Sequence, residues 1–205
     1  MAVLNPSPVT SEEFLEWVFE QEGRFELVDG FVYEMMAGAR EGHNVVTSNI
    51  VMTIGPQAKR EGCRTTSSDT AVSTGENSIR FPDVVVDCSP PDTSATKART
   101  PTMLVEVLSP GTGEIDRTDK LEEYQRLDGT KLIMLADPDV VLVKLYRRDD
   151  DGAWHSEKYE DLSDIIDLNE IGASLALRDI YDTLEPRTRP RLTVVEKASG
   201  MVPGR

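Results

Sequence analysis

The chain of 205 residues is poor in cysteine, histidine and positive charge, and it has no long apolar run. Two cysteines, Cys63 and Cys88, cannot form a disulfide framework or a four-thiolate zinc site. They read as small buried residues rather than nucleophiles. Two histidines, His43 and His155, leave no histidine-built zinc centre. No stretch approaches the roughly 18 apolar residues of a membrane span. Residues 1–10 have neither the basic n-region nor the apolar h-region of a secretory signal. A cytoplasmic location, with reduced thiols and no membrane partner, is therefore expected. Neither a Gly-x-Ser-x-Gly elbow nor a Walker-type loop occurs, so acyl transfer and nucleotide hydrolysis lack their usual residues.

Basic residues number 22 against 37 acidic ones, a formal net charge of −15. The last 20 residues hold five basic groups against Glu196 alone, a local charge of +4, so the preceding 185 carry −19. A body that acidic repels phosphate backbones over a Debye length and disfavours loose duplex binding. It leaves open a narrow cleft in which metal ions supply the positive charge.

What is present is a globular composition, 39% hydrophobic and 29% charged, long enough for one substantial core. Residues 1–185 are expected to form a single domain and 186–205 a basic, Pro- and Arg-rich flexible tail, with Leu192–Val195 a candidate edge strand. Thr10 and Glu13 form a capping-box pattern before Phe14, Leu15, Val18 and Phe19 at helical spacing. Two short alternating runs across Asp29-Gly30 predict a hairpin. A second helix is expected over 43–61, bent or broken at Gly55-Pro56. Strands are expected over 63–66, 70–73 and 79–87, then over 103–108. A third helix follows over 114–127, then strands over 132–135, 140–146 and 154–159, and a short helix near 178–184. Helices embedded in a mostly sequential sheet give an α/β or α+β fold.

The chemistry is concentrated between Pro82 and Tyr124. Asp83 opens an apolar strand and Glu106 lies inside another, where carboxylates are costly unless paired or bound to a cation. On neighbouring strands the two can share a divalent ion through hard oxygen ligands, as suits Mg2+ or Mn2+. The alternative is a solvated or salt-bridged sheet edge. Asp116, Lys120 and Tyr124 follow at i, i+4 and i+8 and project from one helix face. A lysine carried to such carboxylates can position water or stabilise charge in phosphodiester hydrolysis; otherwise Asp116 and Lys120 form an ordinary helix pair.

The ordered set Pro82-Asp83, Glu106-Val107-Leu108-Ser109-Pro110 and Asp116-x-x-x-Lys120-x-x-x-Tyr124 resembles the Uma-type restriction endonuclease family of the PD-(D/E)XK nuclease superfamily. Phe25-Glu26-Leu27-Val28-Asp29-Gly30, His43 opening a helix and Leu135-Ala136-Asp137-Pro138 extend the likeness over residues 10–185. The resemblance implies a restriction endonuclease-like fold, a central mixed β-sheet flanked by helices with an N-terminal helix and β-hairpin. It implies a Mg2+-dependent (or Mn2+-dependent) endonuclease acting on nucleic acid, DNA above all, as a homodimer. Asp83 and Glu106 would hold the metal. Lys120 and Glu26 would complete the catalytic set, with Asp116, Tyr124 and His43 around them. The chain departs from the superfamily at one point: the lysine of Glu-x-Lys would stand at 108, where this chain has Leu108. In the Uma-type pattern the lysine moves to the following helix, where Lys120 fits. The alternative is a catalytically inactive binding or regulatory protein on the same fold.

Overall fold

The computed structural model describes residues 7–35, 39–109 and 113–188, with side chains omitted for 113–117. Helix α1 spans Ser11–Val18. Its capping box is complete: Glu13 N–H donates to Thr10 Oγ1 at 3.2 Å, and Thr10 N–H donates to Glu13 Oε2 at 2.8 Å. The hairpin β1 (Phe25–Val28) and β2 (Phe31–Glu34) turns at Asp29 and Gly30, both at positive φ (49° and 84°). A Cβ at Gly30 would lie 2.8 Å from Pro8, so the turn needs glycine for space as well as for its dihedral.

Helix α2 spans Glu41–Arg60 without the expected break. Pro56 removes only the bond to the Met52 carbonyl. Both residues lie on the exposed face, and Ile50, Ile54 and Ala58 hold the opposite face in the core. After it come β3 (Arg64–Ser67) and β4 (Val72–Gly75). The strand expected over 79–87 is in fact two, β5 (Ser78–Arg80) and β6 (Val84–Asp87), in different sheets. Pro82 cannot donate to a ladder, so Phe81-Pro82-Asp83 carries the chain from one sheet to the other.

Strand β7 (Pro101–Val107) is buried along its whole length and runs parallel to β8 (Leu132–Asp137). Helix α3 (Gly113–Gln125) is the right-length crossover between them. Strands β9 (Leu142–Arg148) and β10 (Trp154–Tyr159) extend the sheet. The result is a six-stranded mixed sheet ordered β10-β9-β8-β7-β6-β3, beside a four-stranded sheet ordered β2-β1-β5-β4. A further hairpin, not foreseen from the pattern, joins β11 (Ile165–Leu168) to β12 (Ala173–Ala176), and α4 (Leu177–Ile180) follows. The core of the large sheet packs Val46, Ile50 and Ile54 of α2 against Val84, Val105 and Met134, with Leu168 and Leu175 of the new hairpin. On the other parity, Val85, Leu104 and Ile133 pack against Tyr124 of α3. Phe14, Leu27 and Ile79 form the separate core of the small sheet.

Cys63 and Cys88 are joined in a disulfide, which corrects their reading as two separate thiols. Residues 64 and 87 are register partners in β3 and β6, so the cysteines just beyond them face each other with Cα atoms 4.0 Å apart. At the other end, Arg187 pairs through its backbone with Asp139 and Val141. Residues 189–205, with the candidate strand 192–195, lie outside the described residues.

Asp87 anchors the polar loop that separates β6 from β7. Its carboxylate accepts from the N–H groups of Ser89 at 2.7 Å and Arg99 at 3.0 Å, and Arg64 lies 3.2 Å away. Burial raises its pKa, but hydrogen bonds from Ser89, Thr100 and Arg99 outweigh this and lower it overall. A depressed carboxylate stabilises the fold above its unfolded pKa and loses that effect as pH falls through the folded value. Asp87→Ala is therefore expected to cost about 2–3 kcal/mol near neutrality in urea unfolding. The difference from wild type should shrink as pH falls below 3.8, the ordinary aspartate value.

Candidate active site

Strand register alone brings the two principal carboxylates together. Val84 pairs with Val105, so Asp83, one residue earlier, stands beside Glu106. Both are buried, at 6% and 5% exposure, and both line a cavity of about 400 Å³. Asp83 Oδ2 is held by the Val107 N–H at 2.8 Å and by His43 Nε2 at 3.2 Å, from the first turn of α2. His43 Nδ1 is buried without a hydrogen-bond partner. Burial lowers the imidazole pKa, but the hydrogen bond and charge of Asp83 prevail, so it is raised and the ring stays protonated to higher pH than a free one.

Helix α3 delivers the other partners of Glu106. Lys120 Nζ lies 3.3 Å from Glu106 Oε1, and the Tyr124 hydroxyl donates to the same oxygen at 2.6 Å. Tyr124 is fully buried, and burial beside Glu106 raises its pKa well above the ordinary phenol value, so it remains a donor. Leu108, where the sequence resemblance would place a strand lysine, is apolar and buried. Lys120 reaches Glu106 from the helix instead.

Glu26 enters from the small sheet. Its Oε1 lies 3.0 Å from Lys120 Nζ and its Oε2 2.8 Å from Arg80 Nη1. Glu26, Asp83, Glu106, Lys120, Tyr124 and His43 thus lie together. Asp116 sits in the first turns of α3, and its side chain is outside the described ones. Two members were missed. Arg80, 2% exposed, also donates from Nε to Glu123 Oε2 at 2.8 Å, and Thr74 Oγ1 donates to that oxygen at 2.8 Å. The signals available were an arginine between Ile79 and Phe81 in an apolar run, and Glu123 one helical turn after Lys120.

Among the described residues, no group of three or more His, Cys, Asp or Glu side chains is arranged to hold a metal ion. The donor chemistry nonetheless fits a hard divalent cation at two points, the carboxylates of Asp83 and Glu106. Counted as ionised, Glu26, Asp83, Glu106 and Glu123 exceed Arg80 and Lys120 by two negative charges when His43 is neutral.

Burial raises the Glu123 pKa, but hydrogen bonding and charge from Arg80 dominate and lower it. Its stabilising contribution is present above 4.5, the ordinary value, and lost as pH falls through the depressed one. Arg80→Ala removes the guanidinium shared by the buried Glu26 and the part-buried Glu123 and is expected to cost about 3–5 kcal/mol in chemical denaturation near pH 7. A loss under about 1 kcal/mol would mean that the ion pairs contribute no more than surface ones.

With the geometry in view, comparisons with known proteins place the chain. It is 32% identical over 179 residues to an uncharacterized protein of Synechocystis sp., covering 86% of this chain and 93% of that one. The fold resembles the crystal structure of a "putative nuclease belonging to DUF820" from Anabaena variabilis, with a TM-score of 0.69 and 22% identity, covering 84% of this chain and 97% of that one. The sequence profile of the Uma2 family, described as "Putative restriction endonuclease", matches residues 11–178, which contain every side chain of the site, and the chain belongs to that family.

Proposed function

We propose that this protein is a metal-dependent nuclease that hydrolyses phosphodiester bonds, with DNA as its substrate. The observation that carries the reading is the convergence on Glu106, beside Asp83, of a buried lysine and a buried tyrosine from the next helix. The family's description points to DNA.

Asp83 and Glu106 would hold Mg2+ or Mn2+, which when bound supplies Lewis acidity to the scissile phosphate and makes water more acidic. The protein's own groups do the positioning. Lys120 carries its protons between Glu26 and Glu106. There it can orient the attacking water or meet the charge that develops on the phosphate oxygens. Tyr124 fixes the rotamer of Glu106 by its hydrogen bond and keeps its own proton. Glu26 is locked by Arg80 and by the Phe81 N–H at 3.5 Å, so it holds Lys120 rather than swinging into the cleft. His43 orients Asp83 from the opposite side.

Lys120→Ala is expected to reduce kcat for Mg2+-dependent DNA cleavage by about 100-fold or more. Asp83→Asn should abolish both cleavage and calorimetrically detected Mg2+ binding, with circular dichroism unchanged in both variants. Cleavage unaffected by either substitution would refute the assignment. A wild-type protein that neither binds Mg2+ nor cuts DNA would be the inactive scaffold instead.

A further inference from the structure

Glu26, Asp83 and Glu106 line the 400 Å³ cavity, and phosphate chemistry accounts for these acids. It leaves unexplained Phe19, Phe25 and Phe81, which line the same cavity. Phe19 is 58% exposed, and Phe25 and Phe81 are half-buried, packed against the core of the small sheet. The Phe25 ring meets Trp17 edge-on, with centroids 4.9 Å apart. Gly23 makes room for it, since a Cβ there would come within 2.8 Å of the ring. Two cations line the cavity as well: Arg24 donates to the Ser68 carbonyl at 3.3 Å, and Arg40 lies 3.6 Å from the exposed Asp139. One short segment thus supplies the Arg80 clamp, the Phe81 ring and the Asp83 carboxylate.

Aromatic rings and cations that line one cavity with the carboxylates match the two parts of a single nucleotide. Every base has a π-face that stacks on an aromatic ring, and its phosphate is an anion. In an intact duplex those faces are stacked on neighbouring bases and only edges are offered to a protein. The cavity volume lies in the range of about 300–1,000 Å³ typical of small-ligand pockets. The body's charge of −19 outside the last 20 residues also repels a duplex more than a single strand, which carries half the charge per unit length.

We infer that the cleft accepts one unpaired nucleotide, its base against Phe25 and Phe81 and its phosphate between the arginines and the carboxylate floor. The substrate class is single-stranded or locally unpaired nucleic acid, not intact duplex. The inference rests on the nuclease reading above.

The test compares a short labelled DNA strand with the same strand annealed to its complement. It uses wild-type protein, Phe25→Leu and Phe81→Leu; leucine keeps the apolar packing and removes the aromatic face. Binding is read by fluorescence anisotropy without metal, and cleavage kinetics with Mn2+. Wild type should bind the single strand, and show a KM for it, about 10-fold or more below the duplex values. Each leucine variant should remove most of that preference, bringing the KM for the single strand toward the duplex value. Equal affinities for the two forms, a duplex preference, or leucine variants identical to wild type would overturn the inference and leave the nuclease reading standing. Absence of cleavage of either form would overturn the nuclease reading, and the inference with it.

Discussion

The site depends on a guanidinium removed from water. Arg80 is 2% exposed and answers two carboxylates on different elements, Glu26 of the small sheet and Glu123 of the crossover helix. A buried charge of this kind is costly, and only its fork of donors, each met by a carboxylate oxygen, makes it tolerable. The same interaction determines the cleft. Arg80 fixes Glu26, Glu26 fixes one side of Lys120, and Lys120 meets Glu106 in the large sheet. The two sheets are therefore joined through charge at the point where the cavity opens, and their apolar cores remain separate.

That arrangement accounts for a lysine supplied by a helix and not by the strand that carries Glu106. In the large sheet, Leu108 completes the apolar end of β7, and the cation comes from α3, held on its two sides by acids from two sheets. A lysine on a helix has freedom that a strand lysine lacks. Here that freedom is removed by Glu26, which ties the small sheet to Lys120.

Much of this was legible in the sequence because it is local. Thr10 and Glu13 announced α1, Asp29-Gly30 the hairpin, and the spacing of Lys120 and Tyr124 their common face. Asp83 and Glu106 stood out as acids in apolar runs. What was not legible depends on tertiary partners. Arg80 reads as a surface charge until Glu26 and Glu123 are brought to it from 54 and 43 residues away. The break at Pro82 was hidden by the apolar residues on both sides, which serve two different sheets. Gly55-Pro56 reads as a bend or break within α2, but a missing bond on an exposed face costs the helix little where Ile54 and Ala58 hold the other face. Cys63 and Cys88 met only because β3 pairs with β6, a pairing that spacing does not encode. The hairpin of β11 and β12 gave a weak local signal, and its burial comes from α2.

The central claim is that Asp83 and Glu106, supported by Lys120 and Tyr124, form a cation-binding hydrolytic floor. It is tested most directly by anomalous diffraction from crystals soaked in Mn2+. The account predicts a peak between the two carboxylates, at about 2.0–2.3 Å from an oxygen of each, and its loss in Asp83→Asn crystals treated in the same way. An ordered site with no peak there, and Lys120 still closed upon Glu106, would contradict it.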